Sequence, residues 1–191
     1  MGEIQMFKIS LFENAIDELK ATHMYVESFL DWRNEDLVPD IEKLFAIKQM
    51  IKHLSSSWEL LMKYRIQKHD YRKVFEEPSK ITDEKLKTGD FHTIRYKTAI
   101  KILNSYGIKN SFTHLKELHT YRNQIEHYQI EVSLRKLIQT SVEAIDELIA
   151  FCSFYITPII DDRETMYQTG DILLRLFAVK KELENLLLSG I

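Results

Sequence analysis

Residues 41–67 read IEKLFAIKQMIKHLSSSWELLMKYRIQ. Leu44, Ile47, Ile51, Leu54, Trp58 and Leu61 recur every three or four positions, the spacing that lines one face of an α-helix. Pro39 suits the first turn, where its missing N–H is not needed, and Glu42 favours the positive end of the helix dipole. Ser55, Ser56 and Ser57 are poor helix formers, but three residues are too short a run to break so strong a pattern. The stretch predicts one long helix from about 39 to between 64 and 67.

The same period appears on both sides of it. Upstream, Leu11, Ile16, Leu19, His23, Val26 and Leu30 predict a helix over 10–32. Downstream, residues 69–92 lose the period, contain Pro78 and Gly89 and are densely charged. They read as an excursion with a short extended piece at 71–75. Helical pattern returns at 93–106, with Gly107 placed as a C-terminal cap. A further helix begins at Ser111, with Phe112, Leu115, Leu118, Tyr121 and Ile125 as its apolar positions. Two more cover 133–156, ended by Pro158, and 167–188. The prediction is all-α: an antiparallel bundle of about five to six helices with a charged excursion between the second and third long helices. It forms a single domain over 1–191, with a core at about 10–156 and a C-terminal helical extension at 157–191.

Composition narrows the function classes. Five Gly and three Pro among 191 residues are too few for a fold built on many tight turns. The single Cys, Cys152, excludes an internal disulfide and a Cys-based zinc site. The opening MGEIQMFKIS has no basic-then-apolar leader, and no apolar run approaches the roughly 18 residues a bilayer span needs. A cytoplasmic protein without a membrane partner is expected. The net charge of −3 is unevenly spread: residues 63–116 carry 13 Lys and Arg against 6 Asp and Glu, and both flanks are acidic. A basic middle of that kind suits a polyanion, and it equally suits a solvated face docked on an acidic part of the same chain.

No phosphate-binding glycine loop, nucleophile elbow or H-E-x-x-H pair occurs. His119 and His127 are two turns apart on one helix, too far to share a metal ion, so no metal and no cofactor is expected. The informative segment is 118–128, LHTYRNQIEHY. On a regular helix Arg122 projects between Leu115 and Leu118, on the apolar side, where a permanent charge must find an anion or a carboxylate. Glu126, one turn on, is the carboxylate in reach. His119, Asn123 and His127 form a second polar ridge beside this pair. Composition alone favours a structural ion pair.

Arg122-Asn123-x-x-x-His127 resembles the R-x4–6-H motif of HEPN domains (higher eukaryotes and prokaryotes nucleotide-binding), in which a polar residue commonly follows the Arg. The motif falls on a late helix of a helical bundle. The long helix before it carries Trp58-Glu59-Leu60-Leu61-Met62-Lys63, similar to a run in related bacterial HEPN proteins. The resemblance covers about residues 10–156 and implies a metal-independent endoribonuclease, of a kind found as toxins and phage-defence effectors. In that reading His127 serves as general acid or base toward the 2′-OH or the leaving 5′-oxygen. Arg122 holds the phosphate and offsets its growing charge, Asn123 orients His127 or a phosphate oxygen, and Glu126 orients Arg122. Lys97, Lys101, Lys116 and His119 are the candidate RNA contacts of the basic middle.

Arg122 and His127 diverge by roughly 140° on a regular helix, so either the helix deforms between them or two copies pool their motifs. The second arrangement is that of HEPN ribonucleases, and it implies a homodimer with this helix near the dimer axis. In HEPN toxins silenced by a partner nucleotidyltransferase, the modified tyrosine lies two positions after the motif His. Here Tyr128 lies one position after it, so control by a cognate antitoxin or regulatory protein is open. The alternative to an RNA-cutting enzyme is a HEPN-like module that binds nucleotide, nucleic acid or a protein without cutting.

Overall fold

The computed structural model describes residues 2–33, 40–88, 91–108, 112–127, 132–160 and 163–190, without the side chains of residues 2–10, 87, 127 and 164. Within them the periodic stretches are helices: α1 (Gly2–Trp32), α2 (Asp40–His69), α3 (Asp83–Thr88), α4 (Tyr96–Ser105), α5 (Thr113–His127), α6 (Leu134–Phe151) and α7 (Arg163–Leu188). The protein is an all-α helical bundle. The short α3, inside the charged excursion, brings the described helices to seven, one above the expected count.

α1 and α2 pair antiparallel over their length. Phe12 meets Tyr64 at 4.9 Å between ring centres, Glu18 meets His53 at 2.6 Å, and Tyr25 meets Phe45 edge-on at 6.1 Å. α2 also packs on α4 and α5, and this crowding changes its burial. Leu61, Met62, Lys63 and Tyr64 are buried in succession, so the second half of α2 is enclosed all round rather than on one face. At the other end Leu44, expected in the core, is exposed, because Ala46, Ile47, Met50 and Ile51 take the inward positions. Pro39 lies outside the described residues.

α5 and α7 both pack on α6, and α7 returns to α1. Ile172, Leu176, Val179, Leu183 and Leu186 of α7 join the same core as Trp58, Leu103 and Phe151, so the C-terminal helix closes the bundle. Several predicted helix ends are seen with their reasons. Gly107 takes φ +77°, and the N–H groups of Gly107 and Ile108 return to the carbonyls of Asn104 and Leu103. Ser133 accepts the N–H of Lys136 at 3.2 Å and starts α6. Ser111, the expected start of α5, lies outside the described residues.

Two local expectations need correction. The 71–75 piece is not extended: Tyr71–Val74 is a 3₁₀ turn, started by Asp70, whose carboxylate accepts the Arg72 N–H. Only Phe75 is strand-like, bridged to Thr93, with Glu76 N–H donating to His92 O and Ile94 N–H to Val74 O. The excursion is therefore a loop tied at its neck. The helix over 133–156 also loosens before its end into a π-helical turn at Cys152–Ile156. Pro158 follows and brings no N–H, so the carbonyl ladder ahead of it is re-paired, with Thr157 N–H and Oγ1 both donating to Cys152 O. No helix among the described residues is long and apolar enough to cross a membrane.

Candidate functional site

α5 is fixed first at its start. Glu147 of α6, itself buried, accepts the backbone N–H groups of Thr113, His114 and Leu115 at 3.0, 3.3 and 3.2 Å. These are donors that the first turn of a helix cannot satisfy internally, and a carboxylate suits the positive end of the dipole. The His114 ring bridges Glu147 at 3.1 Å and Glu143 at 3.0 Å. Tyr121 donates to Glu117 at 2.7 Å, and Lys136 of α6 meets the same carboxylate at 3.1 Å. These two contacts hold the Glu117 carboxyl below the usual range.

The helix then runs unbroken to His127 and presents the motif in its last two turns. Arg122 is half-buried, with Nε 3.4 Å from Glu126 Oε1, an ion pair that lacks hydrogen-bond geometry. Asn123 is exposed beside it. The backbone of His127 closes the helix; its side chain, and all of Tyr128, lie outside the described residues.

One turn before Arg122, His119 departs from the polar ridge assigned to it and is buried, 8% exposed. Its ring lies 3.7 Å, centre to centre, from Tyr96, and its Nδ1 is 3.4 Å from Ser55 Oγ of α2. Burial, then the positive charges of Arg122 and Lys97, push its pKa below the ordinary value, against a smaller pull upward from Glu59 and Glu126. Two turns along α2 from Ser55, the Lys63 ammonium is buried and donates to Glu59 at 2.6 Å and to Thr93 Oγ1 at 2.9 Å. Such a charge is tolerated inside because both partners are in place.

His119 is thus the shared neighbour of two sequence stretches: the Arg122–Glu126 turn of α5, and Ser55 and Glu59 on the α2 face that also carries Lys63. The neck of the excursion is the third neighbour, since Thr93 holds Lys63 and Tyr96 covers His119. Ser55, Glu59, Lys63, Thr93 and Tyr96 were not singled out as site residues from sequence. The visible signal was a Glu and a Lys four apart in a run that is otherwise apolar. Lys97, Lys101 and Lys116 are exposed; Lys97 stands nearest the site, 6.0 Å from the Tyr96 ring centre and acting on His119. His119 lies behind that surface rather than on it. Of the aromatics in the basic segment, Tyr64 and Phe75 are core, and Tyr71, Phe91, Tyr96 and Tyr106 are partly exposed.

Among the described residues no group of three His, Cys, Asp or Glu is placed to hold a metal ion. Cys152 is enclosed, its thiol pushed up to about 12 by burial, which leaves it chemically inert. No protein-family model matches the chain, and no curated protein and no solved structure matches it.

Proposed function

We propose that the protein is a HEPN-type endoribonuclease that cuts RNA without a metal, acting as a toxin or phage-defence effector. The observation that carries the reading is the juxtaposition of its two resembling stretches. Arg122 to His127 close α5, and the run Trp58 to Lys63 lies on α2, which packs on α5 and whose Glu59 acts on His119, one turn before Arg122. The 2′-OH attacks the adjacent phosphorus, the 5′-oxygen leaves, and a 2′,3′-cyclic phosphate and a 5′-OH remain. His127 carries the proton in or out, and Arg122 holds the non-bridging oxygens with a planar donor that never loses its charge. Its weak hold on Glu126 suits that role, because a phosphate offers better geometry than the carboxylate it would displace. Asn123 orients the phosphate or His127.

α5 is regular between Arg122 and His127, which favours two copies pooling their motifs over a deformed helix. The reading therefore includes a homodimer with the two α5 helices near its axis. Lys97 and Lys101, four apart and exposed on α4, supply backbone contacts next to the site.

The Arg122–Glu126 pair also favours a second reading, a HEPN-like module that binds nucleic acid, nucleotide or a regulatory protein without cutting. One experiment separates them: cellular RNA incubated with purified wild type or His127→Ala in EDTA, with the 3′ ends analysed. Cutting by wild type alone, leaving cyclic phosphate, supports the enzyme. RNA binding without cutting by wild type supports the module.

A further inference from the structure

α7 has two apolar faces. One faces the core through Thr169, Ile172, Leu176, Val179, Leu183 and Leu186. Opposite it, Met166, Tyr167, Leu174, Phe177 and Leu188 are 55, 81, 71, 54 and 85% exposed. On a 100° wheel these five lie within a sector of about 100° centred opposite the core face. The ordinary outer face of a surface helix is charged. Gly170 sits in the middle of this outer sector, inside a regular helix, where glycine costs about 1 kcal/mol relative to alanine. Beyond its chain neighbours and its own helix backbone, no described atom lies within 4 Å of where its Cβ would be, so packing among the described residues gives no reason for it. A glycine among large exposed apolar side chains is what a second helix needs to approach closely.

We infer that the outer face of α7 is an interface between two copies of this chain, the two α7 helices packing antiparallel about a twofold axis near Leu174. The register follows from the sequence. An axis there sets Leu174 against its own copy and Phe177 over the gap at Gly170, with Tyr167 beside Lys181. At the ends it sets Arg163 against Glu184, so unlike charges meet on both sides of the apolar strip. A parallel pairing would bring each of these charges against its own copy. Met166, Tyr167, Leu174 and Phe177, which lie inside the overlap, expose on the order of 500 Å² at the ~150–250 Å² typical of large side chains, and the flanking charged stems bring this toward the ~800 Å² per partner of a stable interface.

This contact is separate from the one at α5, because α7 packs on α6 and α1 whereas α5 packs on α6 and α2. If both form, the assembly has four copies or more. The experiment is light scattering on the full chain, wild type against Leu174→Glu, with thermal unfolding and RNA cleavage recorded on the same samples. Leu174 is exposed, so folding is expected to survive. The expected result is a fall in mass by half with cooperative unfolding retained, the melting temperature dropping only by the loss of the contact's mass-action stabilisation. A second variant fixes the register: Gly170→Cys with Phe177→Cys, oxidised. Two turns of one helix hold these positions about 10 Å apart, beyond the reach of a disulfide, so a bridge between them must join two chains. A covalent dimer is expected. An unchanged mass in Leu174→Glu, or no covalent dimer from the double-cysteine chain, overturns the assignment. Cleavage reports on the α5 site independently of either result.

Discussion

At its first turn α5 gives three backbone N–H groups to one buried carboxylate, Glu147, while in its last two turns Arg122 Nε has no hydrogen bond among the described residues and meets Glu126 only at 3.4 Å. The start is a closed arrangement in which every charge has been matched. The end carries charge held on the helix, partly withdrawn from water and not fully used. A satisfied buried polar group contributes to stability, and an under-satisfied one is available to a ligand. One helix is therefore anchored at one end and, in the function proposed above, offers a site at the other.

The comparison breaks most decisively at the site end. Arg122→Ala and His127→Ala are each expected to lower RNA cleavage by about 10²- to 10⁴-fold, the range of a lost acid–base or charge-stabilising group. Unfolding free energy is expected to change by no more than about 1 kcal/mol, because the partner left behind, Glu126, is at the surface and can be hydrated. Paired cleavage assays and urea titrations check this. A loss of several kcal/mol in Arg122→Ala, with no cleavage by wild type, would make both ends of α5 structural.

The anchor end should respond in the opposite sense. Glu147→Ala removes the acceptor of three helix N–H groups and leaves His114 with Glu143 alone, and is expected to cost about 3 kcal/mol by urea unfolding. Glu147→Gln keeps one acceptor oxygen and should cost less. Cleavage per folded molecule is expected to stay within about threefold of wild type, as an anchor acts through the amount of folded protein. A stability loss under about 0.5 kcal/mol in Glu147→Ala would mean that α5 is held by its apolar contacts alone.

The bundle was legible because its helices carry their period locally: the α2 stretch, the Gly107 cap and the Ser133 cap each sit within a few residues of what they control. What escaped depends on partners far away in the chain. Glu147 is 34 residues from Thr113, and Lys63 is 30 from Thr93, so neither the anchor nor the buried ammonium is visible along a single helix. The enclosure of α2 on all sides is likewise a product of three neighbours. His119 was misplaced on its ridge for a related reason. A wheel gives direction but not what lies above, and the Tyr96 ring arrives on another element after the tied loop. For the site, residue types and spacing pointed to Arg122 and Glu126, whereas the wall of Ser55, Glu59 and Lys63 emerged only when α2 was set against α5.

His119 links the two ends and gives the smallest effect, one that depends on pH. Its folded pKa is lowered by burial and by Arg122 and Lys97, with Glu59 and Glu126 opposing. The unfolded ring titrates near 6.5. Above that pH both states are neutral and the protein has its full stability. As the pH falls below about 6.5 the unfolded chain takes up a proton that the folded chain refuses, so stability declines until the folded ring is itself protonated. Melting temperatures of wild type and His119→Gln between pH 7.5 and 5 isolate this contribution, since the other histidines are common to both. Wild type is expected to lose more stability on acidification than the variant. Equal slopes would mean that the ring is solvated in solution, and that the polar surroundings of His119 are open to water rather than closed by Tyr96.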